Sequence, residues 1–343
     1  MTLESFVRKM PKAELHLHLE GAVSAGTFAD LARANGVALP AHDDPADLFV
    51  FDDLPSFLKV YDLICASIRT AGDFRRVTFE ALAHCAEGGA RYVELFFSPH
   101  AHLAHGVGYE TMLDGILLGI GDAGKAHGIT AGIIPAHSRE LGPERGEAFL
   151  DMVLSQRSPE VLGIGLDYNE APFPPAPYEA MYARARAAGL NVTAHAGESG
   201  PAGNVRDSID LLGVSRIDHG YHVVDDPDLV ERCRTLGICF TCCPTTTLYT
   251  TAWRDLASPD HAIFRMIEAG LNVTIHSDDP GLFRTRLDNE YRMVAEAFSL
   301  TPAQLKTMAL ASLDACWLDP ATKSGLRAQW SAEIDTLIQS EFG

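Results

Sequence analysis

Positive charge is scarce in this chain. Lys and Arg total 27 against 46 Asp and Glu in 343 residues, a formal net charge of −19. Such a surface repels phosphate backbones and anionic bilayers, so neither nucleic acid nor a membrane is an expected partner. No apolar run is long enough to span a bilayer, and the opening MTLESFVRKMPKAE is too polar for the core of a secretion signal. Cysteine is sparse and unpatterned: seven residues with no C-x-x-C spacing, which argues against a zinc knuckle or a dithiol redox site. Cys242 and Cys243 are adjacent and would point to opposite faces of a strand. Reduced thiols in a cytoplasmic protein are the expectation. Also missing are repeats, low-complexity tracts and a clear linker, so one domain over residues 1–343 is expected.

What is present is apolar and periodic. Apolar residues make up 47% of the chain, enough for a substantial core. Eight β-favouring runs stand at residues 14–19, 91–97, 129–136, 161–167, 191–196, 216–220, 238–243 and 272–277. Helical periodicity fills several intervals, as in FADLARANG, YEAMYARARAAGL, DLVERCRTLG and AIFRMIEAGL, each stopping at or near a glycine. Eight strands alternating with helices predict an α/β fold, a (β/α)8 barrel. The competing open doubly wound sheet would normally carry a Gly-rich phosphate loop after its first strand, and HLEGAVSAG is not one. Residues 20–90 exceed one crossover and should hold extra helices, LPSFLKVYDLICASI among them, over one barrel end. After residue 277 the pattern is helical to the end.

Barrel enzymes carry their chemistry at the C-terminal ends of strands. His16 and His18 lie two apart on the first strand, so both face one side. His195 closes the fifth strand, and Ala196-Gly197 is a short bend before Glu198. His219 ends the sixth strand, while Asp278 and Asp279 follow the eighth. Unpaired buried polar groups cost a few kcal/mol, about 1–3 each, and a divalent metal would satisfy several together. His16, His18, His195 and Asp278 make a set suited to zinc, with iron or manganese as substitutes, and leave a position for water. Singly, each has a plain reading: an alternating strand, a hydrogen-bonded core histidine, a helix cap before Pro280. Those plain readings do not supply their joint placement on four strand ends.

The stretches PKAELHLHLEGA, TAHAGE, RIDHGYH and IHSDDP resemble the adenosine/adenine deaminase family of metal-dependent amidohydrolases, in the family's order and over about residues 10–320. The resemblance implies a (β/α)8 barrel with one zinc on His16, His18, His195 and Asp278. It further implies an acidic Glu198, a catalytic His219 and a substrate-contacting Asp279; His18 and Glu20 are also expected beside the substrate. These roles make chemical sense for hydrolytic deamination of an aminopurine. Zinc brings water toward hydroxide at neutral pH. His219 steers its proton, protonated Glu198 gives a proton to ring N1 as C6 becomes tetrahedral, and Asp279 holds N7 while ammonia leaves. The H-x-E with P-C-x-x-C pattern of nucleic-acid deaminases is absent. No strand-end lysine is present to bridge two metals.

The stretches divide on the ring's substituent. Glu20 is one methylene longer than the aspartate of nucleoside-type members and would enter ribose space, and Asn169 in GLDYNE also departs from them. RIDHG and HSDDP lean to the free-base branch, whereas GYHVVDDPDL, TLYTTAW and LFRTRLDNEY resemble nucleoside deaminases. Adenine or an N6-substituted adenine is the preferred substrate, with adenosine or a related nucleoside as the alternative. A non-catalytic purine-binding barrel is the reading from another class. Tyr168, Phe173 and Trp253 are candidate pocket walls.

Overall fold

A computed structural model describes residues 2–51 and 54–342. Every β-favouring run forms a strand: β1 (Lys12–His18), β2 (Ala90–Phe97), β3 (Thr130–Ser138), β4 (Gly163–Asp167), β5 in two pieces (Asn191–Val192 and Ala194–Ala196), β6 (Arg216–His219), β7 (Cys239–Cys242) and β8 (Asn272–Ile275). All pairings are parallel and follow chain order. Just past β8, Asp278 pairs with β1: His18 N–H donates to its carbonyl and its N–H donates to His16 O, both at 2.9 Å. That seam closes the sheet, so the fold is the (β/α)8 barrel.

The break in β5 falls at Thr193. Its N–H reaches Ile164 O on β4 at 3.1 Å, while its hydroxyl reaches Asp218 Oδ2 on β6 at 2.8 Å. One residue thus ties both neighbours while the strand shifts its pairing. The barrel's N-terminal end is filled by a buried ion pair, Arg216 with Glu94, and the guanidinium lies 3.9 Å over the Trp317 ring. Leu15, Tyr92, Leu313 and Trp330 pack beneath it. The opposite mouth carries the polar groups.

The long β1–β2 interval holds the expected extra helices, including Leu54–Ser67 and Ala71–Glu87, and the chain ends in Leu287–Ala297, Pro302–Ala315 and Pro320–Phe342. Helix Leu54–Ser67 lies across the mouth and lends Phe57, Leu58 and Tyr61 to the cavity there. All seven cysteines are free and buried. Among the described residues no helix is long and apolar enough to cross a membrane.

Candidate active site

Three strand ends around the mouth reverse through left-handed backbone at residues that rarely adopt it: Tyr168 (φ 67°), His219 (φ 68°) and Asp278 (φ 60°). Each such turn stores about 1–3 kcal/mol, which the surrounding packing must offset. All three residues line one cavity.

At its floor, Nε2 of His16 lies 3.1 Å from Nε2 of His195 and 3.2 Å from Asp278 Oδ1. Nε2 of His18 lies 3.2 Å from His195 Nε2 and 3.4 Å from Asp278 Oδ1. Ligands about 2.05 Å from a tetrahedral zinc stand about 3.3 Å apart, so these spacings are those of its coordination edges. The surrounding hydrogen bonds fix the ring tautomers. His195 Nδ1–H donates to Leu166 O at 3.1 Å. Thr241 Oγ1 gives its own proton to Asp218 and accepts from His16 Nδ1–H at 3.0 Å. Both Nε2 atoms therefore present lone pairs to each other and to a carboxylate. Three converging acceptors with no proton between them demand a cation. Burial disfavours charge on His16, whereas Asp278, Asp218 and Glu14 favour it, the mark of a spot that calls for positive charge. Thr246 Oγ1 donates to Asp278 Oδ2 at 2.8 Å and turns Oδ1 toward the imidazoles. His16, His18, His195 and Asp278 could thus hold a zinc ion.

Glu198 and His219 stand beside this set, with Glu198 Oε2 3.7 Å from His219 Nε2. Burial, then the charge of Asp278, pushes the Glu198 carboxyl up to about 7. Thr250 Oγ1 donates to its Oε1 at 2.8 Å. His219 is pushed down to about 3 by burial and by His16. Tyr221 OH donates to Cys243 O and accepts from Cys243 N–H, so it also accepts from His219 Nδ1–H at 3.2 Å. His219 is thus neutral, with the lone pair of Nε2 facing the cavity.

The Glu198 loop is held by a residue the sequence reading did not single out. Glu170 Oε1 accepts from Gly197 N–H at 2.7 Å and from Asn204 Nδ2 at 2.9 Å. Its Oε2 accepts the N–H groups of Glu198, Ser199 and Gly200 at 3.0, 3.0 and 2.8 Å. Five donors to one buried carboxylate make the bend rigid. The bend itself requires Gly197, whose φ is 72° and whose added Cβ would lie 2.6 Å from Val205 Cγ2. Nothing in the composition of GLDYNE marks Glu170 for this task, because four of its five partners are backbone amides.

Asp279 lines the cavity, and its Oδ1 has no hydrogen-bond partner. Burial and the neighbouring Asp278 charge raise its carboxyl well above the ordinary range. Gly21 makes room for it, since a Cβ there would lie 1.6 Å from that oxygen. His18 also lines the cavity. Glu20 is elsewhere: its carboxylate is buried and taken by Ser98 N–H at 3.0 Å, His102 Nε2 at 2.8 Å and Tyr61 OH at 3.0 Å. It meets the cavity only through Tyr61. Of the aromatic candidates, Tyr168 forms a wall. Phe173 lies on the surface, and Trp253 packs against His222 and Tyr221 outside the cavity. The walls that periodicity did not single out are Phe57, Tyr61 and Phe283, with Phe57 and Phe283 stacked at 5.3 Å.

Known proteins are similar to this chain in sequence and in fold. A family model described as Adenosine deaminase matches residues 11–332. The adenine deaminase of Sphingopyxis alaskensis is 38% identical over 325 residues, 93% of this chain and 94% of that protein. That of Streptomyces coelicolor is 38% identical over 328 residues, 95% of each. Among solved structures, an amidohydrolase from Burkholderia ambifaria with bound Zn superposes with a TM-score of 0.92 at 34% identity, covering 98% of this chain and 94% of that one. The adenine deaminase of Arthrobacter aurescens gives 0.90 at 33% identity, covering 95% and 99%. With the match running from the start of β1 into the last helix, the chain belongs to the adenosine deaminase family.

Proposed function

We propose that this chain is a zinc-dependent hydrolytic deaminase of adenine, which releases ammonia and leaves hypoxanthine. One observation carries the reading: a buried carboxyl lifted to about 7 stands 3.7 Å from a neutral imidazole beside the four-atom metal set. That is an acid and a base poised at one point in a cavity walled by aromatic rings. The free base is supported by relatives named adenine deaminase that align over nearly the whole chain, and by RIDHG and HSDDP in the sequence.

His16, His18, His195 and Asp278 hold the zinc in this proposal. Zinc, when bound, supplies Lewis acidity that brings water's pKa toward neutrality. His219 Nε2 accepts one proton of the attacking water and passes it to the departing amino group, which leaves as ammonia, while Glu198 regains its proton from the new C6 hydroxyl as the carbonyl forms. Glu198, protonated, donates to purine N1, which draws electron density from C6 as that carbon becomes tetrahedral. Asp279 donates from its unpartnered side to N7. Tyr61 and Phe57 on the covering helix exclude bulk water from the base. Glu20 positions Tyr61 and the Ser98 amide and does not touch the ring.

Zinc-loaded protein should release ammonia from adenine, with much slower turnover of adenosine. Metal analysis should give one equivalent per chain. Chelation should abolish turnover and added zinc restore it. A loaded protein that releases no ammonia from adenine would overturn the reading.

A further inference from the structure

Four Phe and Tyr rings wall the catalytic cavity, and three of them, Phe57, Tyr61 and Phe283, are buried members of the main core. Tyr168 differs, because it also lines a second cavity, beside the ends of β2 and β3. Asp62, His100, His137, Glu140 and Arg145 share that lining. The second cavity is far larger, about 780 Å³ against about 60 Å³ for the catalytic one.

The Tyr168 ring stands where the two spaces meet. It packs edge-on against Tyr61 of the catalytic cavity, 6.1 Å between centroids, and against His100 of the second, at 5.0 Å. Its hydroxyl donates to Asp62 Oδ1 at 3.2 Å, which pins the ring to the covering helix. Tyr61 and Asp62 are consecutive on that helix yet line different cavities, so helix and ring together form a partition. The backbone keeps this large side chain at φ 67°, where glycine would sit without strain, and a conformation so held points to a task for the ring. Burial pushes His100 and His137 each down to about 4, so both are neutral near pH 7. Among the charged groups of the second cavity, Asp62 and Glu140 outnumber Arg145. That space suits an uncharged, hydroxyl-bearing group and disfavours a phosphate.

We propose that Tyr168 is a specificity-determining residue, a partition that confines the catalytic cavity to a free base and shuts off a second cavity able to receive an uncharged substituent of sugar size. This rests on the adenine deaminase reading. Behind Phe57, Tyr61 and Phe283 lies packed core. Of the four rings, Tyr168 is the one whose removal joins the catalytic cavity to open space.

The test compares kcat/KM for adenine, adenosine and adenosine 5′-monophosphate in wild type, Tyr168→Gly and Tyr168→Phe, each with its zinc content measured. Wild type should prefer adenine over adenosine by about 10²-fold or more. Tyr168→Gly should narrow that ratio to about tenfold or less through a gain in adenosine turnover, with no matching gain for the monophosphate. Tyr168→Phe keeps the ring and should keep the wild-type ratio. Ala148 is exposed and lines the second cavity, so adding Ala148→Trp to Tyr168→Gly should fill the space and remove the gain. Tyr168→Ala carries the same readout where the glycine variant does not fold. Zinc-loaded variants that turn over adenine but gain nothing with adenosine overturn this proposal alone, as does a gain that survives Ala148→Trp or extends equally to the monophosphate. A wild type inert toward adenine overturns the deaminase reading and this proposal with it.

Discussion

Glu198→Gln should lower kcat for adenine by about 10³-fold, within the 10²–10⁴ range that a positioned general acid supplies. The variant should keep one zinc per chain, because Glu198 is not among the four converging ligand atoms. Glutamine preserves the volume and can still accept from Thr250, but it has no acidic proton for N1. The pH dependence gives a second readout with a definite sign. In the proposed role Glu198 is the acid, and burial pushes its carboxyl up to about 7. Wild-type kcat/KM should therefore fall as pH rises above about 7, about tenfold per unit, and the residual activity of Glu198→Gln should lack that alkaline limb. Stopped assays of ammonia release across about pH 5–9, roughly two units either side of neutrality, would show it. Loss of zinc in the variant would make Glu198 a structural residue and sink its role as acid.

The second large effect belongs to Glu170, which does not line the cavity. Glu170→Gln replaces one oxygen of a five-donor acceptor with an amide N–H₂, and that group repels the N–H groups it faces. The 197–200 loop should loosen, and displacement of the acid by about 1 Å corresponds to about 10²-fold in turnover. A merely structural role predicts a smaller folded fraction with an unchanged pH profile in what remains folded. A positioning role predicts more. Once the loop admits water, Glu198 loses part of the burial that raises its carboxyl, so the alkaline limb should move to lower pH. Zinc content should stay at one, since His195 is anchored separately through Leu166 O. An unmoved limb together with wild-type kcat would remove Glu170 from the positioning role.

Strand ends were legible in the sequence because β-favouring runs of 4–8 residues announce themselves, and because imidazoles closing such runs need partners. The covering helix was legible as a helix from LPSFLKVYDLICASI, yet its i, i+4 pair Phe57 and Tyr61 could not be assigned to the cavity without its packing angle. Glu170 stayed hidden because four of its five contacts are backbone amides, which every sequence has. Glu20 was expected in ribose space from its place in the H-x-H-L-E-G stretch, but its carboxylate is held by His102, 82 positions away, an interaction no local pattern announces. The split of β5 at Thr193 left no mark on the hydrophobic pattern, since both pieces keep the same alternation.

The seam between β1 and the β8 extension carries three of the four candidate ligands, His16, His18 and Asp278, on the two ends of one barrel sheet. No partial chain short of residue 278 contains the set, and no local hairpin can assemble it. In a growing polypeptide the ion can be captured only after the last strand has docked against the first. Capture then adds its binding free energy to the completed ring alone. Zinc uptake in this protein is therefore a report of finished closure: a chain truncated before the final strand, or opened along that seam, loses the ion and the chemistry together.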